Sequence, residues 1–428
     1  MANFSLSDAQ LQLRKSAADF AKTELSSAPS TCSHLPDQAA RFRATEPYYK
    51  AIVKNGWLKA FVPAPLGGTG GSFLDMSLIV EEFYAVDSSV NIALIGTALG
   101  LMPLVLGGTP EQQTKFLKPF ISGQGAPIAS LAHSEPSGTA NWLEKGGKGL
   151  GVTARKEGDY YIVNGEKQWT TNSGGWDGLG AELTCLCVRY SEDGGPEDPN
   201  VEPRTNIMIL LVTRDVVADN EPGAYTILSE PELGGTTGAS GPHTRFTNFK
   251  VPADRLLCEK GDATATVIET AFGITSALIG SMACGTMRAA FETALKFAKE
   301  DHRGGSVPII QRQSVADLLM NCKIKIDTSR VFVRNALDSL DKGRGTVESR
   351  LETCLQAKIY IGEAAVQGVW EVMQAVGMRS YLQESGFPRL LNDATVFSLF
   401  DGGNVGVRRR QYEKLMQAPD YKPWEASF

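Results

Sequence analysis

The chain is poor in metal ligands and in paired cysteines. It has four histidines among 428 residues, and its seven cysteines lie scattered at positions 32, 185, 187, 258, 284, 322 and 354. An odd, dispersed set does not make a disulfide framework. Cys185 and Cys187 point both thiols to one face of a strand, with no second pair to complete a zinc site. All seven read as reduced, small apolar residues of an intracellular protein. Positive charge is not in excess either: a net charge of -6 and a pI near 5.5 argue against nucleic acid as the main partner. The basic cluster Arg408-Arg409-Arg410 is too short to form a phosphate-binding patch. Several catalytic signatures are missing as well. No G-x-G-x-x-G follows a strand, and there is no Walker A loop, H-E-x-x-H or G-x-S-x-G. Nicotinamide Rossmann enzymes, P-loop ATPases, zinc proteases and α/β-hydrolases are therefore unsupported. The first thirteen residues lack the basic and apolar regions of a signal peptide, and residues 92–106, the most apolar run, fall short of a bilayer span. The ending Glu425-Ala426-Ser427-Phe428 is not a peroxisomal tripeptide. The expected location is cytoplasmic, with no membrane partner.

What is present is an ordinary globular composition, 42% hydrophobic and 21% charged, long enough for two or three domains. Periodicity divides it into helical residues 1–125, β-rich residues 126–255 and helical residues 256–428. Ser7-x-x-Gln10 makes a capping box ahead of Leu13, Ala17 and Phe20. Ser72-x-x-Asp75 opens a second helix, and Thr109-Pro110-x-Gln112 a third with proline at its first position. Residues 62–71, rich in glycine and proline, read as a loop. In the middle region, residues 160–163, a turn at Asn164-Gly165 and residues 167–171 predict a hairpin. Residues 184–190, 207–213 and 245–251 are further strand candidates, together suggesting a small antiparallel barrel or sandwich. Residues 191–204 read as a surface loop. Beyond residue 260, long helices over 264–301 and 347–377 predict a bundle.

The densest chemistry lies in Asp401-Gly402-Gly403-Asn404-Val405-Gly406-Val407-Arg408-Arg409. A carboxylate precedes two glycines, where backbone can approach a ligand, and Arg408 follows two helical turns later. A base facing an anion fits this run, and so does an acidic helix cap with solvated arginines. Four other segments carry polar or aromatic groups: residues 133–142, residues 169–175, His302-Arg303-Gly304-Gly305 with Arg312-Gln313, and Gln374-Ala375-Val376-Gly377. Each alone has an ordinary role. Trp169 suits a core, His133 a satisfied hydrogen bond, and the two glycine-containing segments helix ends.

Their order resembles that of the acyl-CoA dehydrogenase superfamily over nearly the whole chain. Ser134-Glu135-Pro136-Ser137-Gly138-Thr139-Ala140-Asn141 resembles the family's T-E-P-x-x-G-S-D, and Trp169-Thr170-Thr171 its W-I-T. Residues 251–257 resemble V-P-x-x-N-L-L, and Arg303 through Gln313 the family's R-x-F…Q segment without its phenylalanine. Arg389-Leu390-Leu391-Asn392-Asp393-Ala394, then Asp401-Gly402-Gly403, is similar to R-x-x-R-D-A and E-G-T. Aspartate in place of the usual glutamate retracts the carboxylate by about 1.5 Å. With residues 133–142, 241–246, 387–404 and 420–424, that aspartate resembles the nitroalkane oxidase branch of the superfamily.

The resemblance implies an α+β multidomain fold: an N-terminal helical domain, a middle antiparallel β-barrel domain and a C-terminal four-helix bundle, with FAD between the last two. Leu131, Ala132, His133, Ser134, Thr139, Ala140 and Asn141 would line the flavin, with Phe400, Gly402, Gly403 and Asn404. Trp169, Thr170 and Thr171 would cover its ring. Arg303, Arg312, Gln313, Gln374, Ala375, Val376 and Gly377 would meet the pyrophosphate and adenosine, partly from a neighbouring subunit of a homotetramer; an arginine fork suits pyrophosphate. Asp401 would take the α-proton of a neutral nitroalkane, and Arg408 would favour the anionic nitronate. Thr275, or the adjacent Ser276, would offer a helper hydroxyl, although a helical threonine also bonds its own i-4 carbonyl. The carbanion would add to flavin N5, and an aldehyde or ketone, nitrite and hydrogen peroxide would leave, with oxygen as acceptor. Two alternatives share these residues: an acyl-CoA dehydrogenase or oxidase using the same carboxylate, and a flavin-containing structural protein that has lost catalysis.

Overall fold

The computed structural model describes residues 5–195 and 198–425. The C-terminal tripeptide, residues 1–4 and two positions of the 191–204 loop lie outside the described residues. The N-terminal region is built from α1 (Asp8–Phe20), α2 (Ala28–Cys32), α3 (Gln38–Lys54), α4 (Phe73–Tyr84), α5 (Ser89–Gly107) and α6 (Pro110–Ile121). All three expected capping boxes form, at Ser7, Ser72 and Thr109, so side chains satisfy backbone donors that the first helical turn leaves free. Helix α5 is longer than the apolar run read from the sequence. It and α8 (Asp262–Glu300) are long and apolar enough to cross a membrane, yet both are mostly buried against protein. An all-round apolar helix suits that central place.

The middle region is one eight-stranded sheet. Its strands are β1 (Ala129–Ala132), β2 (Thr153–Glu157), β3 (Tyr160–Lys167), β4 (Leu183–Tyr190), β5 (Ile207–Thr213), β6 (Tyr225–Ser229), β7 (His243–Pro252) and β8 (Leu256–Cys258); the short α7 (Arg214–Ala218) follows β5. The order is β6-β7-β3-β2-β4-β5-β8, with β1 added beside β4. Where antiparallel pairing alone was expected, β4 takes β1 and β2 as parallel neighbours, because each arrives after a long connection rather than a tight turn. The sheet also runs past the boundary expected at 255, since β8 pairs with β5.

The predicted hairpin is displaced. Residues 160–167 form one strand, paired with β2 through a turn at Gly158-Asp159, and Asn164-Gly165 is a bulge within it against β7. Gly165 has φ +127, and a Cβ there would come within 2.8 Å of Val152 Cα. That close approach, not a chain reversal, explains the glycine. Strand alternation then separates two cores. Leu183, Cys185, Cys187, Ile209 and Leu211 face the helices, while Leu186, Val188, Leu210 and Val212 face Phe246, Phe249 and Val251. The cysteines accordingly pack as apolar residues, and all seven are free thiols.

The C-terminal region packs α8 against α9 (Gln313–Asp341) and α10 (Val347–Val376), with α11 (Phe387–Val396) and α12 (Arg409–Gln417) closing one end. The two helices read from the sequence match within two residues at each end; α9 is a third, whose buried Val315, Leu319, Cys322, Ile326, Val333 and Leu337 recur at helical spacing. Arg288 of α8 donates to Glu81 and Glu82 of α4, and Arg330 of α9 donates to Glu81. This largely buried ionic cluster fixes α8, the helix that carries the central residues of the site, against the N-terminal region.

Candidate active site

Asp401 and Gly402 are consecutive left-handed residues, with φ of 51 and 72. Aspartate tolerates that region better than most side chains, and glycine enters it freely. Asp401 is therefore not a helix cap. The next turn, Asn404–Arg408, is a wide helical turn starting behind Gly403 and running into α12. Nor does Arg408 share a regular helix face with the aspartate. It folds back: Nε and Nη2 donate to the Asp401 carbonyl at 2.9 and 2.5 Å, and Nη1 donates to Gln411 Oε1 at 2.7 Å. Arg408 Nη2 stands 4.0 Å from Asp401 Oδ1. The arginine thus grips the backbone of the base and places charge beside its carboxylate.

The carboxylate itself is buried. Thr275 Oγ1 donates to Oδ2 at 3.1 Å, whereas Oδ1 has no hydrogen-bond partner among the described residues. Burial pushes the Asp401 pKa up, and Arg408, Lys358 and the Thr275 hydroxyl pull it back. Burial likewise lowers the pKa of Arg408, which Asp401 offsets. Of the two candidate helper hydroxyls the geometry selects Thr275, because Ser276 Oγ is spent on the Phe272 carbonyl at 2.6 Å. The local role of Thr275 is real too: the Ala271 and Phe272 carbonyls lie 3.2 and 3.3 Å from its hydroxyl.

These groups open on a half-open cavity of about 180 Å³ bounded by α5, α8, the β1–β2 connection and residues 400–411. Of the expected residues, Leu131, His133, Ser134, Thr139, Trp169, Thr170, Thr171, Phe400 and Gly402 line it with Asp401, Thr275 and Arg408. Trp169 is no core aromatic: it is 55% exposed and sits on left-handed backbone at φ 65. His133 is buried with Nε2 unpaired, and burial, with Lys167 and Arg408 nearby, lowers its pKa to about 3. Burial thus favours the neutral imidazole, and the satisfied hydrogen bonding expected of it does not extend to Nε2. Its loop is pinned by a buried pair, Lys167 Nζ to Glu135 Oε1 at 2.8 Å, and Lys167 also donates to the His133 carbonyl.

Several expected contacts do not line this cavity. Ala132, next along β1 from Leu131, faces the smaller sheet core by strand alternation. Ala140 and Asn141 are exposed, and Asn141 is bonded by Arg410. Gly403 begins the turn, and Asn404 lies buried behind the base, bonded to Lys358 and to the Ile359 carbonyl. Residues with no sequence signal fill other walls: Phe272 and Glu269 of α8, Gln411, and Ile92, Ile95 and Leu99 of α5. Phe272 lies three residues before Thr275, so the helical period places it on the site once Thr275 is known.

A flavin ring fits this place. The cavity offers a half-open indole plate beside two unpaired buried polar atoms, Thr170 Oγ1 and His133 Nε2. The remaining cofactor residues gather elsewhere. Arg303 Nη2 donates to the Ala375 carbonyl at 2.5 Å and lies against Gly377, with Arg312, Gln313 and Gln374 exposed. This group sits past the far end of α8, about 37 Å of helix from Thr275 at about 1.5 Å per residue. One dinucleotide does not join the two sets within a single chain.

Residues 7–124 match the N-terminal domain of acyl-CoA dehydrogenases, and residues 265–415 match their C-terminal domain. The whole chain is 52% identical to a nitroalkane oxidase of Fusarium oxysporum and 42% identical to one of Podospora anserina, covering 98% of each. It superposes, over the full length of both chains, with TM-score 0.98 and 52% identity, on a nitroalkane oxidase whose active-site aspartate is changed to asparagine, crystallised with 1-nitrooctane. The chain belongs to the nitroalkane oxidases, within the acyl-CoA dehydrogenase family.

Proposed function

We propose that this chain oxidises neutral nitroalkanes, with Asp401 as the general base. One observation carries the assignment: a buried carboxylate holds one oxygen on Thr275 and leaves the other unbonded at the cavity. Burial makes Asp401 a stronger base than an exposed aspartate, while Arg408, Lys358 and Thr275 keep enough of it ionised to act. Oδ1 takes the proton from the carbon bearing the nitro group. Negative charge then develops on the nitro oxygens, and the Arg408 guanidinium beside Oδ1 favours it. Ile92, Ile95, Leu99, Ile279 and Met282 give the alkyl chain an apolar wall and exclude water. FAD, with its ring beside Trp169, Thr170 and Thr171, would supply the electron-accepting chemistry that oxygen regenerates. The products are an aldehyde or ketone, nitrite and hydrogen peroxide.

The distant cluster of Arg303, Arg312, Gln313 and Gln374 to Gly377 is proposed to serve the cofactor of a neighbouring copy, in a homotetramer. Sedimentation of the flavin-loaded protein checks the assembly. The chain is proposed to act in the cytoplasm.

Anaerobic mixing tests the reaction. Nitroethane should bleach the flavin and a fatty acyl-CoA should not; bleaching by the thioester alone would assign a dehydrogenase, and by neither a non-catalytic flavoprotein. Asp401→Asn should nearly abolish reduction by neutral nitroethane yet keep reduction by preformed ethyl nitronate. Equal loss with both substrates removes Asp401 from the role of base.

A further inference from the structure

Behind the base, on the side away from the cavity, α10 places a second cation. Lys358 is fully buried. Its Nζ donates to Asn404 Oδ1 at 2.9 Å and reaches the Gly402 carbonyl at 3.4 Å. Asn404 in turn donates to the Ile359 carbonyl at 3.1 Å, which closes a bridge between α10 and the turn. Two cations from different elements therefore hold consecutive carbonyls of the left-handed pair: Arg408 that of Asp401, and Lys358 that of Gly402.

A fully buried ammonium is costly unless something in the site rewards it. Both of its hydrogen-bond acceptors here are neutral. The larger compensating charge is the Asp401 carboxylate, ahead of Glu363, and it acts on Lys358 as Lys358 acts on it.

We infer that Lys358 is a positioning residue for proton abstraction: it locks the Asp401-Gly402 turn through Gly402 and Asn404 and sets a second positive charge behind the carboxylate. The inference rests on Asp401 being the base. Desolvation brings the lysine down to about 7, so its charge is itself sensitive near neutrality. The groups that act on it are Asp401 and Arg408 of the turn and Glu363 of its own helix. From α12, Arg409 holds Glu363 at 2.8 Å, and from α8, Glu269 acts on Arg408. The α9 cations Lys325 and Arg330 are paired with Glu371 and Glu81, and Asp393 of α11 faces Ser88, Thr236 and Arg389.

The sign of the effect follows. Lys358 favours ionised Asp401, so removing its charge raises the pH at which the base becomes active. Lys358→Met keeps the length and loses the charge. The acidic limb of the pH profile for nitroethane-driven flavin reduction should move upward by about one unit, which is roughly tenfold in rate below the limb. Reduction by preformed ethyl nitronate, which needs no base, should change by less than about threefold. Lys358→Arg should return the limb toward its original position, and it carries the test if the methionine variant folds poorly. A limb that stays in place, or equal losses with both substrates, overturns the inference. An infrared titration makes the same comparison without substrate. The carboxyl stretch that disappears in Asp401→Asn should persist to higher pH in Lys358→Met than in the parent protein. If the parent fails to oxidise nitroethane, the proposed reaction falls, while this titration still decides whether Lys358 controls Asp401.

Discussion

Replacing Thr275 by alanine removes one hydrogen bond from the base and leaves Arg408 and Lys358 in place. A hydrogen bond to a charged acceptor contributes about 1.5–3 kcal/mol. The Thr275 hydroxyl has one proton, and two helix carbonyls at 3.2 and 3.3 Å compete with Asp401 Oδ2 at 3.1 Å. The lower end, about 1.5 kcal/mol, is therefore the better expectation, close to one pH unit. The bond favours the ionised carboxylate, so its loss moves the acidic limb of the rate profile upward by about that unit. Below the limb, flavin reduction by nitroethane should slow roughly tenfold. Above it, where Asp401 is ionised in both proteins, only the loss of orientation remains and the difference should shrink. Anaerobic stopped-flow reduction across the pH range, with nitroethane and separately with ethyl nitronate, measures each part. Thr275→Ser, which restores the hydroxyl, should recover the profile. If Thr275→Ala leaves the limb in place, the hydroxyl serves only its helix carbonyls and has no part in the chemistry.

Two other perturbations separate electrostatics from packing. Arg408→Lys keeps a charge but cannot reproduce the two-pronged hold on the Asp401 carbonyl plus the bond to Gln411. A loss of about 2–3 kcal/mol, roughly 30- to 150-fold in kcat/KM, should appear with neutral nitroethane and also with ethyl nitronate; loss with the neutral substrate alone would place the arginine's effect on the base only. Away from the site, Asp87 caps α5 by accepting from Val90 N at 2.6 Å, and burial raises its pKa from 3.8 to about 6. A raised carboxyl contributes stability below about pH 4 that is lost as pH rises through about 6, here up to about 3 kcal/mol. The stability advantage of Asp87→Asn over the parent should therefore grow across that window in thermal unfolding, and a constant difference would refute the assignment.

Local chemistry was the most legible part of the sequence. The capping boxes at Ser7, Ser72 and Thr109 formed as read because both partners lie within one helical turn. The long helices at 262–300 and 347–376 showed through their sustained period. Asn164-Gly165 misled for the opposite reason. The dipeptide supplies a positive φ, and only the neighbouring strand decides whether that permits a turn or a bulge. Helix α9 was as legible as the long helices on either side of it, since Val315, Leu319, Cys322, Ile326, Val333 and Leu337 recur at helical spacing along the face that α8 and α10 cover.

The site divides in the same way. The order of His133, Trp169, Arg303 and Asp401 along the chain carried the resemblance to the acyl-CoA dehydrogenases, and it was that resemblance that implied a flavin enzyme and, through aspartate before Gly402-Gly403, its branch. The sequence by itself determined which reactive groups exist and which backbone positions can bend sharply. Tertiary structure alone decided that Arg408 holds a carbonyl, that Thr275 rather than Ser276 meets the carboxylate, and that Lys358 stands behind the turn. Those contacts join residues far apart in the chain, across elements whose relative placement comes from packing. The strength of the base depends on them, because burial and nearby charge set its pKa, and both are properties of the assembled fold.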